Sequence, residues 1–430
     1  MTTQPNNRST GDPAALVDHL FRTKSGELVA RLTSIFGLRR LDLAEDVVQE
    51  ALLSALKHWS YYGIPESPVG WLITAARNKA LDHLRREKTF AQKTEDIAEA
   101  IRTALPEKPE SGFAHEIADS QLRLMFVLCD PSLTPASQQA LILKTLGGFS
   151  VAEIARAFLA KEPTIAQRLV RARKTLADQQ ISFEIPADQL DSRLETVLQV
   201  IYLLFNEGYN AYEGDNLVRF ELVNEALRYC SLLVNHPLGE KPKCFALMSL
   251  LSLQASRLPS RVDAESNLVL LADQDRTKWD QRLIAQGFHY LEKAASGEEV
   301  TTYHLEAGIA ACHAMAKDYD STDWPQILEY YNRLVDLLDS PVIALNRAVA
   351  IAMVDSPQAG LAALDNLADN THLQQYYLLY ATRGELLQRL GQSTAAIESY
   401  RTALSLTQST PERRFLEHRI TTCQSTSSRD

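Results

Sequence analysis

Residues 150–176 read SVAEIARAFLAKEPTIAQRLVRARKTL, a pattern that predicts two helices separated by a short turn. Ser150 can cap the first helix, and Glu153 stands three residues on, where it completes a capping box. The segment 160–162 predicts the break, and Pro163 suits the first turn of the second helix because proline has no backbone N–H. Apolar residues recur every three or four positions, so each helix has one face that can be buried.

The second of these helices carries groups that can read DNA bases. Hydroxyl, amide and guanidinium side chains lie near its start, where they can contact base edges in a major groove. The candidate residues are Thr164, Gln167, Arg168, Arg171 and Arg173. A surface-charged helical hairpin without a DNA partner would show the same pattern, so the segment alone leaves both interpretations open.

Another basic helix is predicted upstream, at residues 69–88. Five positive charges on it could run along DNA phosphates, although basic helices are commonly only solvated surfaces. It follows a helix predicted at 41–59, for which we expect Asp42 as the N-cap and Glu45 as its capping-box partner. Two prolines and a glycine within 61–68 must interrupt the helical pattern between them.

The composition predicts an all-α protein. Glycine accounts for 17 of 430 residues, against about 7% in average proteins, which disfavours turn-rich sheets. Stretches beginning at Ile343 and Leu379 each predict a helix, a polar break and a second helix rich in small residues. The second stretch follows a tetratricopeptide pattern, in which small residues let paired helices stack closely. A helical domain without true repeats is the alternative.

The charge is unevenly distributed along the chain. The net charge is -10, yet residues 1–182 contain 23 basic and 21 acidic residues, whereas residues 183–430 contain 21 basic and 33 acidic residues. A basic first part suits a nucleic-acid partner, and the acidic remainder does not favour DNA.

The sequence predicts neither an enzyme nor a cofactor or metal site. The GxGxxG, P-loop, HExxH and GxSxG patterns are absent. Five scattered cysteines form no CxxC pair, which indicates buried thiols in a reducing compartment. The acidic residues of 263–280 do not fit EF-hand spacing, and we expect them to form salt bridges with neighbouring basic residues. No apolar run is long enough for a membrane span, so a cytoplasmic location is expected.

Three segments together resemble the bacterial extracytoplasmic-function (ECF) RNA polymerase sigma factors of the sigma-70 family. They are DLAEDVVQEALLSALKHW at 42–59, WLITAARNKALDHLRREK at 71–88 and the helix–turn–helix at 150–176. Their order and the gaps between them are similar to those in the family. The remainder, including FNEGYNAYEGDNLVR from Phe205, resembles the subgroup with a fused tetratricopeptide-like domain.

The resemblance implies an all-α chain of two small sigma-type domains followed by a larger helical domain. The expected limits are 12–92 for the region 2 domain, 93–115 for a linker, 116–182 for the region 4 domain and 183–425 for the C-terminal domain, with repeats near 343–408.

The resemblance also implies partners and site residues. The partners are core RNA polymerase, through its beta-prime clamp and beta subunit, and promoter DNA. The residues expected to bind polymerase are Asp46, Gln49 and Glu50. The residues expected to contact the −10 element are Trp71, Arg77, Asn78, Lys79, Asp82, Arg85 and Arg86. Trp71 is equally suited to a place in the core. Contacts with the −35 element fall to the five residues given above for the second helix of 150–176.

The alternative is a helix-turn-helix transcription regulator with a helical sensor domain. It would explain residues 150–176 but leave the segment 42–88 without a role, and it would bind promoter DNA without polymerase. We expect the acidic C-terminal part to regulate the chain in cis or to bind a regulatory protein or ligand.

Overall fold

The computed structural model describes residues 13–86, 119–158, 160–179, 181, 185–211, 217–263, 265 and 267–427. Within these ranges the regular secondary structure is helical, in agreement with the all-α prediction. The expected linker at 93–115 and the domain limits on either side of it lie outside the described residues.

Eighteen α-helices run through the described ranges. They are α1 (Pro13–Phe36), α2 (Leu41–Tyr62), α3 (Pro68–Arg86), α4 (Ser120–Leu128), α5 (Pro135–Thr145), α6 (Val151–Ala157), α7 (Glu162–Asp178), α8 (Ala187–Tyr209), α9 (Phe220–Val234), α10 (Pro242–Ala255), α11 (Gln281–Ala294), α12 (Thr302–Met315), α13 (Trp324–Leu337), α14 (Pro341–Val354), α15 (Pro357–Asp365), α16 (Tyr377–Arg389), α17 (Ser393–Leu406) and α18 (Thr410–Ser427).

The chain divides into two compact units, residues 1–201 and 202–430, and the division falls within α8. In the first unit, α1, α2 and α3 pack as a bundle around Trp59 and Leu72. The helices α4 to α7 form a second cluster around Phe126, and α4 packs against α1. The two clusters of the first unit are therefore in contact.

The expectation that Asp42 caps α2 is wrong. The helix begins at Leu41, and Arg40 occupies the N-cap position without a side-chain hydrogen bond. Asp42 lies inside the first turn, where a negative charge is favourable beside the positive end of the helix dipole. Its carboxylate is bound by a distant arginine, as described below.

Consecutive helix pairs build the end of the second unit. α14 packs on α15, α16 on α17, and α17 on α18. A Cβ atom at Gly384 would lie 2.7 Å from the ring of Tyr400, so the small residue lets α16 and α17 approach closely. Gly391 follows α16 with a φ of 72°, which reverses the chain between the two helices. The helix–break–helix prediction is confirmed for both stretches.

Salt bridges do not explain the acidic residues of 263–280. The Asp263 carboxylate accepts the backbone N–H groups of Glu265 and Asn267 and so closes a turn. Asp280 caps α11 by accepting two backbone N–H groups. Within the described part of this segment, the one ion pair joins Lys278 and Asp275 at 3.8 Å. These carboxylates mainly satisfy helix ends and turns.

Candidate nucleic-acid interface

The structure confirms the helix–turn–helix predicted for residues 150–176. The Ser150 hydroxyl accepts the Glu153 backbone N–H at 3.1 Å, and the Glu153 carboxylate accepts the Ser150 N–H, which completes the capping box of α6. α7 packs on both α5 and α6 and buries Ile165 and Leu169. Because its inner face is fixed in the core, the outer face of α7 is held as a defined surface.

Three of the expected DNA-binding residues are exposed on this outer face. Thr164, Gln167 and Arg171 lie three and four positions apart, so they align along one side of α7. Val170 stands beside them with 67% of its surface exposed, a feature that the sequence analysis missed. The row combines hydroxyl, amide and guanidinium hydrogen-bonding groups with an apolar group that can contact a thymine methyl.

Arg168 has a different environment from this exposed row. Its side chain is half-buried, and its guanidinium lies 5.5 Å from the centre of the Phe158 ring. A guanidinium over an aromatic face is attracted to the ring's negative face. Arg168 therefore packs against the residue that ends α6.

Arg173 contacts α2, and the chain brings these residues together across a long sequence separation. Its Nε lies 2.9 Å from Asp42 Oδ1, and its Nη2 lies 2.7 Å from Glu45 Oε2. The other Glu45 oxygen accepts a hydrogen bond from the Thr145 hydroxyl at 2.7 Å. The Arg173 and Glu45 side chains are only 23% and 17% exposed, so water screens this pair weakly. In this arrangement Arg173 joins α7 to α2.

Glu50 on α2 binds the basic side of α3. Its carboxylate lies 3.4 Å from Lys79 Nζ and 3.2 Å from His83 Nε2. Partial burial acts to raise the pKa of Glu50, but the hydrogen bonds and charges of His83 and Lys79 outweigh it and lower the pKa below its usual range. A residue expected to bind polymerase and one expected to bind DNA are thus neighbours.

The remaining expected residues of α3 are placed as follows. Asn78 and Asp82 are exposed, and Arg77 is half-buried. The side chains of Arg85 and Arg86 lie outside the described residues. Trp71 is half-buried.

The ring of Trp71 packs edge-on against Trp59, with 5.6 Å between the ring centres. Trp59 is almost fully buried in the bundle of α1, α2 and α3. Trp71 therefore extends the core of this bundle toward the surface.

The outer surface of α2 presents the other candidate contacts. Asp46 and Gln49 are exposed, and Leu53 continues the same face with 59% exposure. At the end of the helix Tyr61 and Tyr62 are 87% and 69% exposed. Exposed aromatic rings are suitable stacking surfaces for unpaired bases. Helical periodicity places Leu53 on the face of Asp46 and Gln49, and this signal could have identified it.

Neither a cluster of potential metal ligands nor a membrane-spanning helix is found in the described part of the chain. No cluster of three or more His, Cys, Asp or Glu side chains there could hold a metal ion. Likewise, no helix in those ranges has the length and apolarity that a membrane crossing requires.

Comparisons with known proteins match the geometry described above. The family models "Sigma-70 region 2" and "Sigma-70, region 4" match residues 20–90 and 126–176, which include most of the α1–α3 bundle and the helix–turn–helix. A "Family of unknown function (DUF6596)" matches residues 193–295.

Individual relatives cover either most of the chain or about a third of it. An uncharacterized protein of Rhizobium meliloti (strain 1021) is 37% identical over 89% of this chain and 90% of its own length. The "ECF RNA polymerase sigma factor SigM" of Mycobacterium tuberculosis is 32% identical over 37% of this chain and 74% of its own length. The "ECF RNA polymerase sigma factor BldN" of Streptomyces coelicolor is 30% identical over 31% of this chain and 49% of its own length.

Proposed function

This chain belongs to the ECF RNA polymerase sigma factors of the sigma-70 family, and we propose which of its surfaces bind core polymerase and which bind the promoter. Its sigma-70 regions imply core RNA polymerase and promoter DNA as partners. Sigma factors direct transcription initiation and are not enzymes. The fused C-terminal domain distinguishes this chain from the shorter relatives it matches.

Recognition of the −35 element is assigned to α7, and one observation carries the assignment. A capped helix–turn–helix holds Thr164, Gln167 and Arg171 in an exposed row, with Val170 beside them. These are the side-chain types that contact base edges and thymine methyl groups in a major groove. Arg168 and Arg173 contribute to the same surface once their present contacts with Phe158 and with α2 are released.

The beta-prime clamp of core polymerase docks, in this proposal, on the outer face of α2. Asp46, Gln49 and Glu50 give this face an acidic and amide character that suits a basic partner helix. Leu53 adds an exposed apolar group to the same face. An apolar centre with a polar rim is the usual anatomy of a protein interface.

The −10 element is assigned to the end of α2 and to α3. Tyr61 and Tyr62 offer exposed rings on which unpaired bases can stack. Arg77, Asn78, Lys79, Asp82, Arg85 and Arg86 follow along α3 and contact the adjoining backbone and bases. Trp71 supports this surface from the core side.

Binding to both promoter elements requires α2 and α7 to separate. The −10 and −35 elements are about 25 base pairs apart, and at about 3.4 Å per base pair this is about 85 Å on straight DNA. In the described arrangement the Arg173 and Glu45 side chains are 2.7 Å apart. We therefore assign this arrangement to the chain before it engages polymerase and promoter, and the acidic C-terminal domain to regulation of that step in cis.

Matched variants of the full-length chain test the two assignments. Leu53→Asp should weaken capture of core polymerase at least about tenfold, because it places a charge at an apolar contact, whereas Leu337→Asp, on an equally exposed leucine of α13, should not. Arg171→Ala should reduce polymerase-dependent binding to promoter DNA, whereas Arg401→Ala on α17 should not. Equal effects of each variant and its control would refute the assignment. Tight promoter binding without polymerase would favour the regulator interpretation.

A further inference from the structure

A partly enclosed cavity of about 210 Å³ lies between α14, α16, α17 and α18 in the second unit. Most of its wall is apolar and is formed by side chains such as Val349, Leu378, Leu386 and Phe415. An engineered apolar cavity of about 150 Å³ holds benzene. This cavity therefore has room for a single ring with a short substituent.

The cavity wall includes a buried carboxylate, Glu412, which is 2% exposed. Its Oε1 accepts hydrogen bonds from the Tyr377 hydroxyl and, at 3.2 Å, from the Asn210 amide. Its Oε2 accepts the Thr407 hydroxyl at 2.5 Å. A carboxylate has about four acceptor positions, so one position on Oε2 is left. Among the described residues, no cationic side chain pairs with Glu412, although buried charges are usually paired.

The other carboxylate in the cavity wall, Glu385, is already neutralised by cations. Glu385 lies 3.2 Å from Arg389 Nε and also pairs with Arg419. The Tyr400 hydroxyl donates to the same carboxylate at 3.3 Å. The two guanidiniums exceed the charge of Glu385, so this carboxylate does not attract a further cation. A cationic group entering the cavity is therefore directed to Glu412.

Two sequence segments for which promoter recognition provides no role contribute to the surroundings of this cavity: FNEGYNAYEGD from Phe205 and the stretch from Arg261 to Leu268. Asn210 belongs to FNEGYNAYEGD, and its Oδ1 accepts a hydrogen bond from Arg261 Nη2 at 3.2 Å. The Arg261 guanidinium lies 3.9 Å from the centre of the Tyr209 ring. Leu268, shortly after Arg261, lines the cavity itself. A molecule bound in the cavity would thus contact a hydrogen-bonded network that joins the end of α8 to α18.

We propose that this cavity binds a small primary amine with a single apolar ring. The ammonium group donates a hydrogen bond to Oε2 of Glu412 and supplies the missing positive charge, while the ring fills the apolar part. The consequence for transcription rests on the proposed regulation in cis, whereas the binding itself does not.

Three probes that share a phenylethyl group and differ in charge test the site on the full-length chain by calorimetry at pH 7. They are 2-phenylethylamine, the neutral 2-phenylethanol and the anionic 3-phenylpropionate. The amine should bind at least about tenfold more tightly than the alcohol, because only the ammonium adds the attraction of an opposite charge to its hydrogen bond with the buried carboxylate. The anion should bind most weakly.

Substitutions test whether Glu412 causes the preference for the amine and whether the probes bind in the cavity. Glu412→Gln should abolish the preference for the amine, whereas Glu398→Gln, at an exposed position on α17, should retain it. Ala381→Phe should weaken binding of all three probes because its ring occupies the cavity. Circular dichroism establishes that each variant is folded.

Equal affinity of the unmodified chain for amine and alcohol, or no heat with any probe at millimolar concentration, would overturn the proposal without use of a variant. Run-off transcription in the presence of the amine tests the proposed regulation separately from binding of the amine. Selective binding without a change in transcription keeps the site and rejects its part in regulation. Normal transcription with no binding rejects the site and leaves the sigma-factor assignment intact.

Discussion

Replacing Glu45 with glutamine should favour separation of α2 from α7. Glu45 accepts hydrogen bonds from both Arg173 and Thr145 at 2.7 Å and is 17% exposed. The substitution removes the charge of Glu45 while its size and its ability to accept the Thr145 hydroxyl remain. If separation precedes binding to polymerase, weakening this contact must increase the fraction of binding-competent chain.

The size of the effect follows from the geometry. A hydrogen bond to a charged group contributes about 1.5–3 kcal/mol when shielded. Arg173 keeps its contact with Asp42, but that carboxylate is 70% exposed, and exposed pairs contribute about 0–1 kcal/mol. A net loss of about 1–2 kcal/mol is therefore expected, which changes an equilibrium about 5–30-fold. Apparent affinity for core polymerase should rise by up to that factor.

Fluorescence titration of the labelled full-length chain with core polymerase, without DNA, measures this affinity. Arg173→Gln should have a similar effect, and the double variant should gain little more than either single variant, since both remove one interaction. Glu417→Gln, at an exposed position on α18, is the control. Unchanged or weaker polymerase binding by both single variants, or fully additive effects, would refute the reasoning.

Three further predictions concern folding. Gly384→Ala should lower the free energy of unfolding by about 1–3 kcal/mol, because the added Cβ would lie 2.7 Å from the Tyr400 ring, and thermal unfolding measures it. Ser150→Ala should cost about 1 kcal/mol in urea unfolding through loss of the α6 cap, and an equally stable variant would contradict the capping role. Burial raises the pKa of Glu306 to about 7, and the hydrogen bond from Tyr202 opposes the rise only in part. The neutral carboxyl is favoured in the folded chain, so its contribution to stability is complete below about pH 4.5 and is lost as pH rises through about 7. Glu306→Gln should flatten that dependence, and an unchanged pH profile would contradict the assignment.

The local features of the first unit were predictable from the sequence. The capping box at Ser150, the helix–turn–helix and the exposure of Gln167 and Arg171 all depend on residues a few positions apart. Spacing of three and four residues also identified the helix pairs near Gly384. Such signals arise from helix geometry alone, so no tertiary information is needed.

Contacts between distant segments were not predictable. Asp42 has the sequence context of an N-cap, but its partner is Arg173, which lies far along the chain and comes close only after folding. The sequence suited Trp71 equally to contact with the −10 element and to the core, and only its packing on Trp59 shows that it extends the core. The exposure of Val170 likewise depends on which face of α7 the neighbouring helices cover.

Run-off transcription shows whether this chain directs core RNA polymerase to promoters. Purified core RNA polymerase would be incubated with a pool of promoter fragments, with and without the full-length chain. Our account predicts new, defined start sites that require the chain and are reduced by Arg171→Ala but not by Arg401→Ala. Promoter binding by the chain without polymerase, together with no new start sites, would contradict the assignment as a sigma factor.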